Sequence, residues 1–158
     1  MNANIFTIRL MELHDINEAA NVLSIAMQNN PLHIAVLQGN GERQRAIIEK
    51  MFINLFTTFP GITFIDQEDK KIVGVMRMKS CCGSNPEYYD QQKEEGTVDY
   101  RIAFWHKQWA LNDPLEQHWH LGPIGVLPTH QGLGIGSLLM DRFCKEVDAC
   151  MAKAYLET

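Results

Sequence analysis

The segment that most constrains the fold is the glycine-rich stretch HQGLGIGSLL, because it places three glycines at alternate positions just before an apolar helix. Glycine inside a helix or a strand costs about 0.5–1 kcal/mol relative to alanine, so this spacing needs a reason. The first turn of a helix leaves backbone N–H groups without intrahelical partners and carries a partial positive charge, which attracts phosphate groups. The stretch therefore predicts either an anion-binding loop or a turn chosen only for tight packing of a strand against a helix.

Two common phosphate-binding motifs do not fit this stretch. A P-loop needs a lysine directly after the glycines, and the first lysine that follows them is Lys145. A dinucleotide fingerprint has the spacing GxGxxG after the first strand of its unit, whereas these glycines run GxGxG and lie late in the chain.

Hydrophobic periodicity predicts five strands and three helices. One helix begins near Asp15, the next has its apolar face between Ile48 and Phe56, and the third follows the glycines. The predicted strands are NIFTIRL (4–10), ITFID (62–66), KIVGVMRMK (71–79), QHWHLGPIGVLP (117–128) and KAYLET (153–158). The order is strand, two helices, a hairpin of two strands, a fourth strand, a third helix and a fifth strand. It predicts one α/β domain with a mixed sheet over residues 1–158. Residues 82–116 show no clear period and are predicted to be an irregular, aromatic-rich connection.

Composition excludes several classes of protein. The 158 residues carry 14 Lys plus Arg and 19 Asp plus Glu, a net charge of −5, and no basic block, which argues against nucleic-acid binding. No leader pattern and no run of about 20 apolar residues is present, so a soluble cytoplasmic protein without membrane contact is expected. The four cysteines match neither paired zinc ligands nor a disulfide scaffold, and they are predicted to be reduced thiols: Cys81, Cys82, Cys144 and Cys150.

The segment IGVLPTHQGLGIGSLLM resembles the signature of the GNAT superfamily of N-acetyltransferases, in which a strand ending in V-x-P is followed by Q/R-x-x-G-x-G/A. Gln131, Gly134 and Gly136 occupy the three defining positions, with Val126 and Pro128 upstream. The predicted order of elements also fits the GNAT-like acyl-CoA N-acyltransferase fold.

This resemblance implies that acetyl-coenzyme A (acetyl-CoA) is the cosubstrate. Its pantetheine arm would pair with the strand at Ile124, Gly125 and Val126, and its pyrophosphate would lie on the loop. The loop residues expected to contact it are Gln131, Gly132, Leu133, Gly134, Ile135, Gly136 and Ser137. Because Pro123 lacks an N–H and Gly122 weakens pairing, the fourth strand is predicted to be interrupted there, either as a gap for the ligand or as a plain bulge.

The catalytic candidates lie on the same strand. Strand alternation places His118, His120, Gly122, Ile124 and Val126 on one face, which is interpreted as the face toward the thioester. The resemblance implies that His120 is the general base, with His118 relaying the proton through water. Two other readings stay open: structural histidines, or two ligands of a metal ion. No motif supplies a third ligand, so no metal site is predicted.

The resemblance implies an enzyme that acetylates a primary amine of a small molecule or peptide by direct attack in a ternary complex. The alternative is a non-catalytic acyl-CoA sensor or interaction module. Family members continue past the fifth strand into a helix and a hairpin. The domain is therefore expected to be incomplete at its C-terminal end, and the edge of the fifth strand is expected to pair with a second copy or a completing segment. The aromatic stretch Tyr88 to Trp109 is expected either to form part of the acceptor wall or to be a solvated loop.

Overall fold

Five strands form one mixed sheet, in which they lie side by side in the order of the sequence, and this confirms the predicted α/β class. The computed structural model describes residues 6–90 and 92–157. The first four strands pair antiparallel, each with the next strand along the chain. The fifth strand runs parallel to the fourth at the edge of the sheet. The strands are β1 (Thr7–Leu10), β2 (Ile62–Glu68), β3 (Lys71–Cys81), β4 (His118–Val126) and β5 (Ala154–Leu156). The predicted start of the first strand and the predicted end of the fifth lie outside the described residues.

Two helices were not predicted, so the predicted order of elements is corrected. The helices are α1 (Ile16–Met27), α2 (Pro31–Leu37), α3 (Glu42–Thr58), α4 (Val98–Asn112) and α5 (Ile135–Ala149). Helix α2 begins shortly after α1 ends, because the Asn30 side chain accepts a hydrogen bond from the N–H of Leu32 at 2.9 Å and Pro31 is the first helical residue.

Helix α4 lies inside the stretch predicted to be irregular. Its start is capped by Thr97, whose hydroxyl accepts a hydrogen bond from the N–H of Tyr100 at 3.2 Å. Ala110 is the one α4 residue that is fully buried, so the helix has no continuous apolar face. The prediction failed because periodicity detects a helix only when one stripe of it is buried.

The helices cover both faces of the sheet and create two cores. Helices α1, α2 and α3 pack on one face around Leu23, Ile48 and Phe56, while α5 packs on the other face around Leu139 and Phe143. Burial of these side chains removes apolar surface from water on both sides of β3, which is the centre of the sheet. None of the helices in the described ranges is long and apolar enough to cross a membrane.

A bulge interrupts β4 where the sequence predicts it. Leu121 pairs with Met78 and Ile124 pairs with Met76, so both Gly122 and Pro123 lie opposite Arg77 alone. Because of this extra residue, side chains that regular alternation would place on one face of the sheet point to opposite faces before and after the bulge. The predicted common face is therefore wrong: Ile124 and Val126 pack toward α5, whereas His118 and His120 lie on the opposite face of the sheet, toward α4.

Candidate active site

A cleft of about 570 Å³ opens between β4, the glycine-rich loop and the end of α1. Nine of the ten residues predicted to contact the cofactor line it, and Leu133, whose side chain projects outward, does not. Sequence reasoning missed Ala26, Met27 and His130. The residues that line this glycine cleft are Ala26, Met27, Ile124, Gly125, Val126, His130, Gln131, Gly132, Gly134, Ile135, Gly136 and Ser137.

The N-terminus of α5 presents free backbone donors to this cleft. The first α5 residue whose N–H bonds within the helix is Leu138, which donates to the carbonyl of Gly134 at 3.0 Å. The N–H groups of Ile135, Gly136 and Ser137 therefore have no partner in the helix, and no acidic residue lies in its first turn. The positive end of the helix dipole is left uncompensated by the protein.

The three loop glycines are not needed for packing. A Cβ added at Gly132, Gly134 or Gly136 would meet no atom within 4 Å. Gly132 and Gly134 have φ angles of 79° and 85°, which explains two of the glycines by the shape of the turn. Gly136 has no such requirement. The packing explanation of the glycine spacing therefore fails, and the open space lies in front of the free donors.

Strand β4 offers a second set of backbone groups in the same cleft. The N–H of Leu127 donates to the carbonyl of Val73 at 2.9 Å, so antiparallel alternation turns the backbone groups of Ile124 and Val126 away from β3. β5 pairs with β4 only from Trp119 to Leu121. The edge of β4 beyond the bulge is thus unpaired with β5, and the Val126 carbonyl accepts a side-chain hydrogen bond from Gln131 at 3.2 Å.

His130 fixes the loop at the mouth of the cleft. Its Nε2 lies 2.8 Å from a Glu68 carboxylate oxygen and its Nδ1 lies 2.8 Å from the Thr129 hydroxyl. A carboxylate only accepts, so Nε2 carries a proton and donates to Glu68. The residue lies inside the glycine-rich stretch, but its partner on β2 is remote in sequence, which is why its role could not be predicted.

His118 and His120 lie at the other half of β4, outside the lining of the glycine cleft. Both are buried, with 2% and 5% of their surface exposed. The His120 ring packs 4.9 Å from the Trp109 ring of α4 and 5.5 Å from the Tyr155 ring of β5. Burial, together with the nearby charge of Lys79, lowers the pKa of His120 to about 4, against the opposing effect of Asp113.

Two further side chains complete this buried group. His118 Nε2 lies 3.0 Å from Cys81 Sγ and 3.2 Å from Asp113 Oδ1, and His120 Nδ1 lies 3.6 Å from the same Asp113 oxygen. Sequence reasoning missed both partners. Cys81 lies beside His118 because β3 pairs with β4, and Asp113 directly follows α4, which was not predicted.

All four cysteines are free thiols, as expected.

The aromatic stretch belongs mainly to α4 and the turn before it. Trp105 packs edge-on against His33 of α2 at 5.3 Å, and Tyr89 packs against His106 at 5.4 Å. Tyr88 and Phe104 remain more than half exposed. These residues pack against one another and against α2, and they do not line the glycine cleft.

Comparison with known proteins identifies one family and several solved structures that share the fold. The model of the acetyltransferase (GNAT) family matches residues 32–158. No curated protein matches the chain in sequence.

Among solved structures, the polyamine N-acetyltransferase of Drosophila melanogaster, described as forming N-acetylagmatine, has a TM-score of 0.72 at 14% identity, with 98% of this chain and 76% of that chain covered. A GNAT family acetyltransferase of Brucella melitensis in complex with acetyl-CoA has a TM-score of 0.59 at 16% identity, with 98% and 76% covered. A predicted acetyltransferase of Clostridium acetobutylicum with acetyl-CoA has a TM-score of 0.52 at 15% identity, with 98% and 81% covered. At these identities the likeness shows a shared fold.

Proposed function

The chain belongs to the acetyltransferase (GNAT) family, and from this premise we propose that it transfers an acetyl group from acetyl-CoA to a primary amine by direct attack in a ternary complex. The observation that carries the proposal is the convergence in one cleft of two sets of backbone groups that have no main-chain partner: the N–H groups at the start of α5 and the free edge of β4.

The two sets of groups match the two ends of the cosubstrate. The pyrophosphate would accept hydrogen bonds from the N–H groups of Ile135, Gly136 and Ser137, in front of glycines that leave room for it. The amide-bearing pantetheine arm would pair with Ile124 and Val126 as an added strand does. The solved relatives from Brucella melitensis and Clostridium acetobutylicum, which contain acetyl-CoA, support this choice of ligand.

An amine acceptor must lose a proton before it can attack the thioester. A lysine-like amine with a pKa near 10.4 is unprotonated in only about one molecule in 2,500 at pH 7, so deprotonation costs roughly 4.6 kcal/mol. We assign the role of general base to His120, with His118 as a relay through water. A Cβ on Gly122 would lie 3.3 Å from His120 Nε2, so this nitrogen faces the bulge where β4 loses β5 as its neighbour.

The reaction then follows from these positions. The amine nitrogen attacks the thioester carbonyl carbon as His120 accepts its proton, and the outward N–H of Ile124 stabilises the oxyanion. The carbon–sulfur bond breaks and the coenzyme A thiolate leaves. A covalent route through Cys81 is disfavoured, because burial and the nearby Asp113 raise the pKa of its thiol and the residue does not line the cleft.

The acceptor is proposed to be a small amine or a peptide amine. The Drosophila relative, a polyamine N-acetyltransferase that forms N-acetylagmatine, supports cationic amines as the first class to test. The net charge of −5 is compatible with such substrates but does not select among them.

Acetyl transfer to a panel of agmatine, spermidine and a lysine-containing peptide tests the proposal through the release of coenzyme A. We expect turnover of at least one amine, lost in Gly134→Glu and kept in Gly96→Glu. The two glycines are matched, since their φ angles are 85° and 84° and a Cβ at either would meet nothing within 4 Å. Tight binding of acetyl-CoA without turnover of any amine would instead identify a non-catalytic acyl-CoA sensor.

Replacing His120 with alanine tests the base separately. The rate of transfer should fall by about 100-fold or more while the affinity for acetyl-CoA stays unchanged. A rate within threefold of wild type between pH 6 and pH 9 would remove His120 from the mechanism.

A further inference from the structure

Four potential metal ligands converge under α4, on the half of β4 that the glycine cleft does not use. Cys81 ends β3 and pairs across the sheet with His118, while His120 lies on the same face two residues further along β4. Asp113 directly follows the last residue of α4 and is the fourth member of the group. One donor atom from each of these four residues, the four-donor cluster, lies within 4.8 Å of all the others.

The cluster contains buried polar atoms that nothing satisfies. Asp113, His118 and His120 are each at most 5% exposed. Asp113 Oδ1 and His120 Nδ1 have no hydrogen-bond partner among the described residues, and the 3.6 Å between them is too long for a hydrogen bond. Leaving such buried atoms unpaired is unfavourable, and a cation between them would offset that cost.

Hydrogen bonds from the surrounding residues orient the lone pairs of His118 and Asp113 toward the centre of the cluster. His118 Nδ1 lies 2.7 Å from the carbonyl oxygen of Glu116, which only accepts, so Nδ1 carries the proton and the Nε2 lone pair of a neutral imidazole faces Cys81 and Asp113. The Ser84 hydroxyl donates to Asp113 Oδ2 at 2.7 Å, leaving Oδ1 directed at the histidines. Two lone pairs 3.2 Å apart repel unless a proton or a metal ion lies between them. Contacts of this kind orient the ligands of metal centres.

The distances between the donor atoms are close to those of a small tetrahedral centre. Bonds of about 2.0–2.3 Å from a metal to nitrogen, oxygen and sulfur place neighbouring ligand atoms roughly 3.3–3.8 Å apart. In this cluster the separation from Asp113 Oδ1 to His120 Nδ1 is 3.6 Å, which lies in this range. Those from His118 Nε2 to Cys81 Sγ and Asp113 Oδ1 are 3.0 and 3.2 Å, slightly shorter than the range.

We propose that Cys81, Asp113, His118 and His120 form a binding site for a divalent first-row transition metal of the Zn²⁺ class. A thiolate and a carboxylate balance the charge of the ion, and the sulfur and nitrogen donors select it over Mg²⁺ or Ca²⁺. Four protein ligands leave no open position, so the metal joins β3, β4 and the end of α4 instead of activating water. Coordination through Nδ1 places a proton on His120 Nε2, so a loaded site removes the proposed base and slows acetyl transfer.

Titration of the reduced, metal-free protein with Zn²⁺ against a chromophoric chelator measures the site without any activity assay. We expect one equivalent bound with micromolar or tighter affinity. Co²⁺ should give the visible bands of a tetrahedral centre and a near-ultraviolet band from sulfur-to-cobalt charge transfer. Cys81→Ser should weaken Zn²⁺ binding at least tenfold and abolish the charge-transfer band, while its exposed neighbour Cys82→Ser should change neither.

Two results would overturn the proposal. Substoichiometric Zn²⁺ binding by the folded wild-type protein would mean that the cluster is a buried imidazolium–carboxylate pair only. Binding that survives Cys81→Ser and is lost in Cys82→Ser would assign the metal to surface thiols. The Co²⁺ spectrum of the wild type decides the question even where Cys81→Ser does not fold.

Discussion

Replacing Gly136 with alanine should make the protein more stable and at the same time a weaker binder of acetyl-CoA. Gly136 is the second residue of α5, it is not among the positive-φ glycines, and a Cβ there would meet no atom within 4 Å. Alanine therefore adds neither strain nor a clash, and it removes the cost of glycine in a helix, about 0.5–1 kcal/mol. With roughly 2.1 cal/mol/K of unfolding entropy per residue, or about 0.33 kcal/mol/K for the chain, the melting temperature should rise by about 1.5–3 °C.

The affinity should move in the opposite direction. The added methyl group would occupy the space in front of the free N–H groups of Ile135 and Ser137, which the pyrophosphate needs for close approach. A loss of at least about tenfold, or 1.4 kcal/mol, is expected. Thermal unfolding and calorimetric titration of the same preparation measure both quantities. A stabilised variant with unchanged affinity would refute the placement of phosphate at α5, and a destabilised variant would refute the reading of Gly136 as unconstrained.

Three further substitutions test other parts of the fold. Asp66 is fully buried, and burial raises the pKa of its carboxyl. The protein therefore loses stability as the pH rises from the pKa of the unfolded chain through the raised pKa of the folded state. Asp66→Asn should remove that loss, so in urea unfolding the variant should gain stability relative to wild type at pH 7.5 but not at pH 4. An identical dependence of stability on pH in the two proteins would contradict this. The Arg9 guanidinium donates to both oxygens of buried Asp15 at 2.7 and 2.8 Å and lowers the pKa of that carboxyl. Asp15→Asn should therefore lower the free energy of unfolding by about 2–3 kcal/mol at pH 7. This difference should shrink as the pH falls through the depressed pKa of Asp15, and an unchanged urea midpoint at pH 7 would contradict the prediction. At Gly125 a Cβ would lie 2.9 Å from Leu23 Cδ2, so Gly125→Ala should destabilise by about 1–3 kcal/mol, and a variant as stable as wild type would show that α1 can shift away from β4.

The parts of the site that the sequence predicts are those whose chemistry is local. Gly132, Gly134 and Gly136 lie within one turn of each other, so their spacing alone predicts exposed N–H groups at a helix start. The interruption of β4 was also predictable, because Gly122 and Pro123 are adjacent and each weakens strand pairing.

The parts that the sequence does not predict depend on contacts between distant residues. The bulge was expected, but its effect on side-chain parity depends on Met76 and Met78, more than 40 positions upstream of the β4 residues they face. Cys81 and Asp113 meet His118 only after β3 pairs with β4 and α4 folds back across the sheet. No spacing along the chain marks that meeting, so the histidines were interpreted without their two partners.

Calorimetric titration of the chain with acetyl-CoA, beside Gly134→Glu and Gly96→Glu, tests whether the glycine cleft is the acetyl-CoA site. We expect binding of one equivalent by the wild type, no detectable binding by Gly134→Glu, and wild-type affinity in Gly96→Glu, whose φ angle is within 1° of that of Gly134 and whose surroundings are equally open. No binding by the folded wild type, or equal affinity in both variants, would contradict the assignment of the glycine cleft as the acetyl-CoA site.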